Sequence, residues 1–258
     1  MRYFIEFAYK GTHYHGSQIQ PNGVTVQSVL QDAFFTILRT PVALTFAGRT
    51  DAGVHAKQMF AHFDLPDSNS DPTASAVSQL SALTSRLNRL LPEDIAVYRI
   101  FPVADDLHAR FSAVSRTYEY HIATRKSPFT HGARTYMPVP LDYDAMNLAA
   151  QCLLGTHDFA AFCKLHTDVK TTICTITQAL WQTNSDGAVF TVTADRFLRN
   201  MVRAIVGTLF EVGRHKLSPD DFKAVIASRS RQAAGQSAPA EGLFLTRVVY
   251  PHGSIPTC

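Results

Sequence analysis

The residues best able to do chemistry lie in one short stretch, "FAGRTDAGVHA" (46–56), where Arg49, Asp51 and His55 stand among small side chains. Gly48, Ala52 and Gly53 remove bulk that would hold a ligand away from Asp51, and glycine permits backbone angles that other residues avoid. An ionised carboxylate in such a turn could act as a nucleophile or a base. Arg49, two residues away, would favour the ionised form. The plain alternative is a solvated turn carrying a surface ion pair. An aspartic-protease site is excluded, because that chemistry needs two carboxylates sharing a proton and the D-A-G turn has no second copy.

Two further groups stand out. If 116–123, "RTYEYHIA", is a strand, Arg116, Tyr118 and Tyr120 share one face. Tyrosine can stack on an unpaired base while arginine meets a phosphate, although the same spacing suits core rings with satisfied hydroxyls. The run "RFLRNMVRAIVGTLFEVG" (196–213) has the period of a long helix, with Phe197, Leu198, Met201, Val202, Ile205, Val206 and Leu209 on its buried side. Arg196, Arg199 and Arg203 would then form a basic stripe beside it. Those arginines could contact phosphates, one could reach inward to a carboxylate, or all could border an ordinary amphipathic helix. His13 with His15, and His55 with His62, lack a third ligand at a metal-binding spacing, so no metal site is expected. No Walker or dinucleotide fingerprint occurs.

The elements that must position these groups alternate along the chain. A strand over 2–9 leads through a loop to a helix over 25–38 with Thr25 as its N-cap. A strand over 42–48 runs directly into the aspartate stretch, and another follows over 58–65. The polar segment "PDSNSDPTAS" (66–75) reads as an exposed loop, 75–91 as a helix ended by Pro92, and 95–103 as a strand. The second half continues with the strand over 116–123, a helix over 142–155, strands over 175–183 and 188–194, the long helix, a short helix over 218–228 and a final strand over 243–250. This alternation predicts an α+β fold of two related lobes around one sheet, divided as 1–107 and 108–258.

Composition narrows the function classes. A chain of 258 residues that is 46% hydrophobic and 17% charged is globular. Its most apolar run, 197–210, is interrupted by Arg199 and Arg203 and cannot span a bilayer. The N-terminus lacks the apolar block of a signal peptide, which points to the cytoplasm. Cys152, Cys163, Cys174 and Cys258 form no C-x-x-C pair and read as free thiols of a reducing compartment. The net charge of +3 is unevenly spread: 196–231 holds eight Lys/Arg against three Asp/Glu. That asymmetry suits an anionic partner without requiring one.

Taken in order, seven segments resemble the bacterial tRNA pseudouridine synthase A family: "YKGTHYHGSQIQPNGVTVQSVLQ", "GRTDAGVHA", "LPEDIAV", "LHARFSAVSRTYEYHI", "GTHDFAAF", "FLRNMVRAIVGTL" and "APAEGLFLTRVVYP". The resemblance spans nearly the whole chain, and "GRTDAGVHA" is its most specific part. It implies the pseudouridine synthase fold, with two lobes sharing a central, mainly antiparallel sheet and a cleft between them. It also implies an isomerase, working without cofactor or metal, that converts uridine to pseudouridine in the anticodon stem-loop of tRNA (tRNA positions 38–40). By motif, Asp51 would be the nucleophilic carboxylate and Tyr118 the ring that stacks on the target uracil. Arg203 would pair with the aspartate, and Arg49 would help flip and place the base. Leu243 or Leu245 would wall the pocket, and Arg116, Arg196 and Arg199 would contact RNA. The resemblance further implies a homodimer with tRNA lying across both subunits, which would enlarge the positive surface of a chain carrying only +3. Two departures are visible. Ser17 stands where an aromatic is usual, and Arg199-Asn200 replaces a pair often aromatic or histidine. The competing reading is a non-catalytic RNA-binding module or chaperone on the same fold, which would not need Asp51.

Overall fold

The computed structural model describes residues 1–66, 74–164 and 170–256. Most of the expected loop over 66–75, and Cys258, lie outside the described residues. The chain contains five α-helices and ten strands among the described residues and divides into two compact units. The α+β class read from the sequence is borne out.

The first unit comprises Met1–Val114 together with Leu245–Cys258. Its elements are β1 (Arg2–Tyr9), α1 (Val26–Leu38), β2 (Thr45–Phe46), β3 (His55–Asp64), α2 (Ala74–Leu90) and β4 (Ile95–Val103). β1 lies between β3 and β4, antiparallel to both, and β2 pairs with β3. Because β1 is central, both its faces are covered: Phe4, Ile5 and Phe7 are fully buried, and so is most of Glu6. That buried carboxylate keeps two partners, Arg99 Nε at 2.5 Å and Gln58 Nε2 at 2.7 Å, as an interior charge requires. Helix α1 starts where the capping chemistry says it should. Thr25 Oγ1 accepts from the Ser28 amide, and Ser28 Oγ accepts from the Thr25 amide. Asn88 of α2 caps the outer strand by bonding both main-chain groups of Val97. That satisfies groups an edge strand would otherwise present to other chains.

His62 on β3 illustrates how burial fixes a charge state. Its Nδ1 accepts the Ala109 N–H at 3.1 Å, and its ring packs edge-on to His108 at 4.5 Å. Burial first, then the charge of Arg2 and then that of His108 pull its pKa from 6.5 to about 4. Between those two values the unfolded chain binds the proton and the folded chain does not, so folding stability falls as pH drops through this window and is unaffected by this group above it. Urea denaturation of His62→Gln should therefore show a shallower loss of stability from pH 7 to pH 4 than wild type. Equal slopes would remove His62 as the cause.

The second unit, Ser115–Phe244, holds β5 (Ser115–Ala123), β6 (Thr135–Tyr136), α3 (Tyr143–Gln151), β7 (Gly155–Asp158), β8 (Ile173–Asn184), β9 (Gly187–Ala194), α4 (Met201–Gly213) and α5 (Pro219–Ser228). Its strands run in the order β5-β9-β8-β7, all antiparallel, with β6 parallel to β5. The final strand, β10 (Leu243–Val249), begins in this unit, and its residues from Leu245 on group with the first, beside β3.

Several elements depart from their sequence readings: the strand expected over 42–48 is confined to Thr45–Phe46, the helix expected over 142–155 ends at Gln151, and β6 and β7 are additional to those expected. The expected helix from Arg196 begins only at Met201, because Asn200 takes a left-handed conformation at φ 65°. The main chain ahead of it is otherwise engaged. Asp195 Oδ1 accepts the amides of Arg196 and Thr175, and the Arg199 carbonyl accepts the Lys164 N–H. Arg196 and Arg199 therefore leave the helix, and the basic stripe dissolves. Every position of α4 except Arg203 and Glu211 is buried, so this is an interior helix rather than an amphipathic one. No helix among the described residues is long and apolar enough to cross a membrane.

Candidate active site

The aspartate loop of the first unit connects β2 to β3, and it is held by its main chain. Thr50 is the fixed point. Its N–H donates to Ser17 Oγ at 2.9 Å, and its carbonyl accepts the Ser17 N–H at 3.2 Å. Its hydroxyl bonds to the Tyr9 hydroxyl of β1 at 2.8 Å. Beyond it, Val54 N–H donates to the Asp51 carbonyl, closing a turn, and Gly53 N–H reaches the Tyr14 carbonyl. Tyr14 is in turn tied by its hydroxyl to Asp94 Oδ1 at 2.5 Å, and burial followed by that hydrogen bond raises its pKa. At the loop's exit the Gly11 N–H donates to Nδ1 of the buried His55 at 2.9 Å.

Two glycines make this close fit possible. A Cβ on Gly11 would lie 1.9 Å from the Val54 carbonyl oxygen. A Cβ on Gly16, whose φ is +95°, would lie 2.8 Å from the Thr50 carbonyl oxygen. Asp51 sits half-buried on this frame, between the buried Thr50 and the exposed Ala52. Arg49 is exposed, and its Nε donates to Gln18 Oε1. Among the described residues Gln18, not Asp51, is the partner of its guanidinium. His55 serves the loop's anchorage, its Nδ1 being committed to Gly11. No group of three or more potential metal ligands occurs among the described residues.

The second unit carries the aromatic and basic candidates. Tyr118 on β5 pairs in register with Val192, is 9% exposed, and packs edge-on to Phe197 with ring centres 5.1 Å apart. Tyr120 is fully buried, with its hydroxyl shared between Thr135 Oγ1 at 2.7 Å and the Pro239 carbonyl at 3.0 Å. Burial raises its pKa. The two tyrosines of "RTYEY" thus part company: Tyr120 is a core residue, and Tyr118 keeps a small exposed margin. Arg116 and Arg196 meet at Asp195, Arg116 donating to its carbonyl and the Arg196 amide to its carboxylate. Arg199 is exposed on the turn before α4, beside Lys164. Leu243 and Leu245 are both buried, at 5% and 1% exposed.

Arg203, in the first turn of α4, is oriented by a segment the sequence did not single out. Its Nε donates to the Ala238 carbonyl at 2.8 Å, while its own carbonyl accepts the Ala238 N–H at 2.9 Å. Residues 231–238 are strapped along α4 by further bonds. Asn200 Nδ2 and Arg231 Nη2 both donate to Ser237 Oγ, and Thr208 Oγ1 accepts the Gly235 N–H. The approach is close enough that a Cβ on Gly207 would meet the Gln236 carbonyl oxygen at 1.8 Å. Ser17 and Gln18 beside the aspartate loop, and Arg231 and Ser237 beside Arg203, are the supporting residues that motif reading missed. Only the small residues Gly235, Ser237 and Ala238 within "GQSAP" could have hinted at close backbone packing.

Comparison with known proteins gives one consistent family. A family model described as tRNA pseudouridine synthase matches residues 149–251. The chain is 52% identical over 255 residues to tRNA pseudouridine synthase A of Parabacteroides distasonis, covering 99% of this chain and 98% of the relative. It is 54% identical over 252 residues to the protein of the same name from Porphyromonas gingivalis, covering 97% of each. A more distant relative of that name from Bacillus pumilus is 41% identical over 247 residues, covering 94% of this chain and 96% of the relative.

Proposed function

Because the chain belongs to the tRNA pseudouridine synthase A family, we propose that it isomerises uridine to pseudouridine in the anticodon stem-loop of tRNA, with Asp51 as the nucleophilic carboxylate. The reaction breaks the bond between C1′ and N1 of the nucleotide, turns the uracil, and joins C1′ to C5. The C5 proton leaves, N1 gains one, and nothing is oxidised or reduced. The observation that carries this reading is the aspartate loop, which spends main-chain bonds on its own anchorage and presents Asp51 among small residues. A carboxylate held in this way needs little reorganisation when a sugar arrives.

The other residues take parts suited to their places. A paired uridine must leave its stack at a cost of a few kcal/mol. Tyr118 recovers part of it by stacking on the extruded uracil, and Arg49, exposed and bonded to the neutral Gln18, can exchange that partner for RNA. Arg203 serves as the charge partner of Asp51, and Leu243 or Leu245 lines the pocket. Arg116, Arg196 and Arg199 meet phosphates, and two copies of the chain supply enough positive surface for one tRNA in the cytoplasm.

The test is mass mapping of pseudouridine in tRNA before and after treatment with the protein, together with release of tritium from uracil C5. New pseudouridine in the anticodon stem-loop accompanied by tritium release supports the reading. Tight tRNA binding without release would favour the RNA-binding module instead. Tyr118 gives a graded check. Stacking on an aromatic face is worth about 1–3 kcal/mol, so Tyr118→Ala should lower kcat/KM by roughly 5- to 150-fold, and Tyr118→Phe by much less. Equal activity in Tyr118→Ala and wild type would remove this ring from the site.

A further inference from the structure

Ser17 is fully buried, and its side chain and main chain both serve the aspartate loop. Its Oγ accepts the Thr50 N–H and its N–H donates to the Thr50 carbonyl, so one residue holds both main-chain groups of the residue preceding Asp51. Its own carbonyl accepts the N–H of Gln27, and the Gly16 carbonyl that of Val26, both in the first turn of α1. The N–H groups of a helix's first turn have no partner within the helix and must find one outside; here they find residues 16 and 17. A continuous line of hydrogen bonds therefore runs from α1 through Ser17 to Thr50, and Tyr9 of β1 holds Thr50 from the other side.

We infer that Ser17 is a positioning residue for the reaction, its hydroxyl fixing the Thr50 main chain that leads into Asp51 while its carbonyl ties it to helix α1. This rests on the assignment of Asp51 as the nucleophile. The hydroxyl is what matters. Serine places an acceptor one bond beyond its Cβ, directly against the Thr50 amide at 2.9 Å. Without it the N–H of Thr50, a residue 8% exposed, loses its partner and the loop gains freedom next to the reacting group. That freedom acts on the geometry of attack rather than on the contacts that hold tRNA.

The experiment measures kcat and KM for tRNA in Ser17→Ala, Ser17→Thr, Tyr9→Phe and Asp51→Asn, with thermal melting as a check on folding. The expected result is a fall of about tenfold in kcat for Ser17→Ala with KM within twofold of wild type, and recovery of most of that loss in Ser17→Thr, which restores the hydroxyl. If Ser17→Ala does not fold, Tyr9→Phe, which loosens Thr50 from the other side, should show the same split. Unchanged kcat in Ser17→Ala with an inactive Asp51→Asn would overturn the inference alone, as would a loss confined to KM. An active Asp51→Asn would instead overturn the nucleophile assignment on which it rests.

Discussion

Asp51→Asn is expected to lower pseudouridine formation by at least about a thousandfold, with tRNA affinity changed by no more than a few-fold. The substitution is nearly isosteric and removes the negative charge that a nucleophile needs. The loop should keep its shape, because main-chain groups of Thr50, Asp51, Gly53 and Val54, together with the Thr50 hydroxyl, anchor it. An amide at position 51 leaves all of them in place. Single-turnover tritium release and filter binding, run on the same preparation, separate the two quantities. Release at the wild-type rate would show that the carboxylate is not the reacting group, and loss of binding in parallel with activity would assign Asp51 to tRNA affinity instead.

Gly11→Ala should produce the second-largest loss, about a hundredfold or more in kcat, although residue 11 lies far from Asp51 in sequence and forms no part of the "GRTDAGVHA" stretch. A methyl group there would meet the Val54 carbonyl oxygen at 1.9 Å, well inside any allowed contact. Both partners are main chain or attached directly to it, so relief requires the loop's exit to move by about 1 Å, and a shift of that size at a reacting group costs about two orders of magnitude. The bond from the Gly11 N–H to His55 Nδ1 would be strained by the same shift. The melting temperature should fall by several degrees, since the clash is buried. Wild-type kcat in a folded Gly11→Ala protein would mean that the exit of the loop can move without disturbing the chemistry.

Local pattern was a good guide where one segment decided its own structure. The Thr25 cap, the strand over 95–103 and the helix beginning at Pro219 depend on alternation, capping and proline placement, all visible within a dozen residues. The helix expected from Arg196 is interrupted by the left-handed Asn200, and the Arg199 carbonyl that a helix would have used is taken by the distant Lys164 N–H. The grouping of Leu245–Cys258 with Met1–Val114 is likewise a long-range event, seen in the Val114 amide bonding to the Val249 carbonyl and in Tyr250 reaching Ala109.

For the candidate site, Asp51 and Arg49 stood out as charges among small residues, a pattern an ordinary solvated turn shares, and the resemblance along the whole chain is what singled them out. Their supports did not stand out. Ser17 was visible only as a departure from the resembled pattern, with no partner attached to it, and Arg231 as one more charge in a basic stretch, until the fold brings each to its partner. The ion pair suggested by the spacing of Arg49 and Asp51 gave way to a bond with Gln18, a residue that proximity in sequence does not connect with Arg49.

The bonding of α1 to residues 16 and 17 has a consequence for motion. A loop between strands is ordinarily among the first parts of a protein to open, since loops have few buried bonds. Here the first turn of α1, Ser17 and Thr50 share one set of hydrogen bonds, so the stretch before Asp51 cannot open without also fraying the start of a helix. The loop borrows the cooperativity of α1. The exposed Arg49 side chain lies outside that set, so its motion does not require the helix to fray, whereas opening of the backbone leading into the carboxylate does.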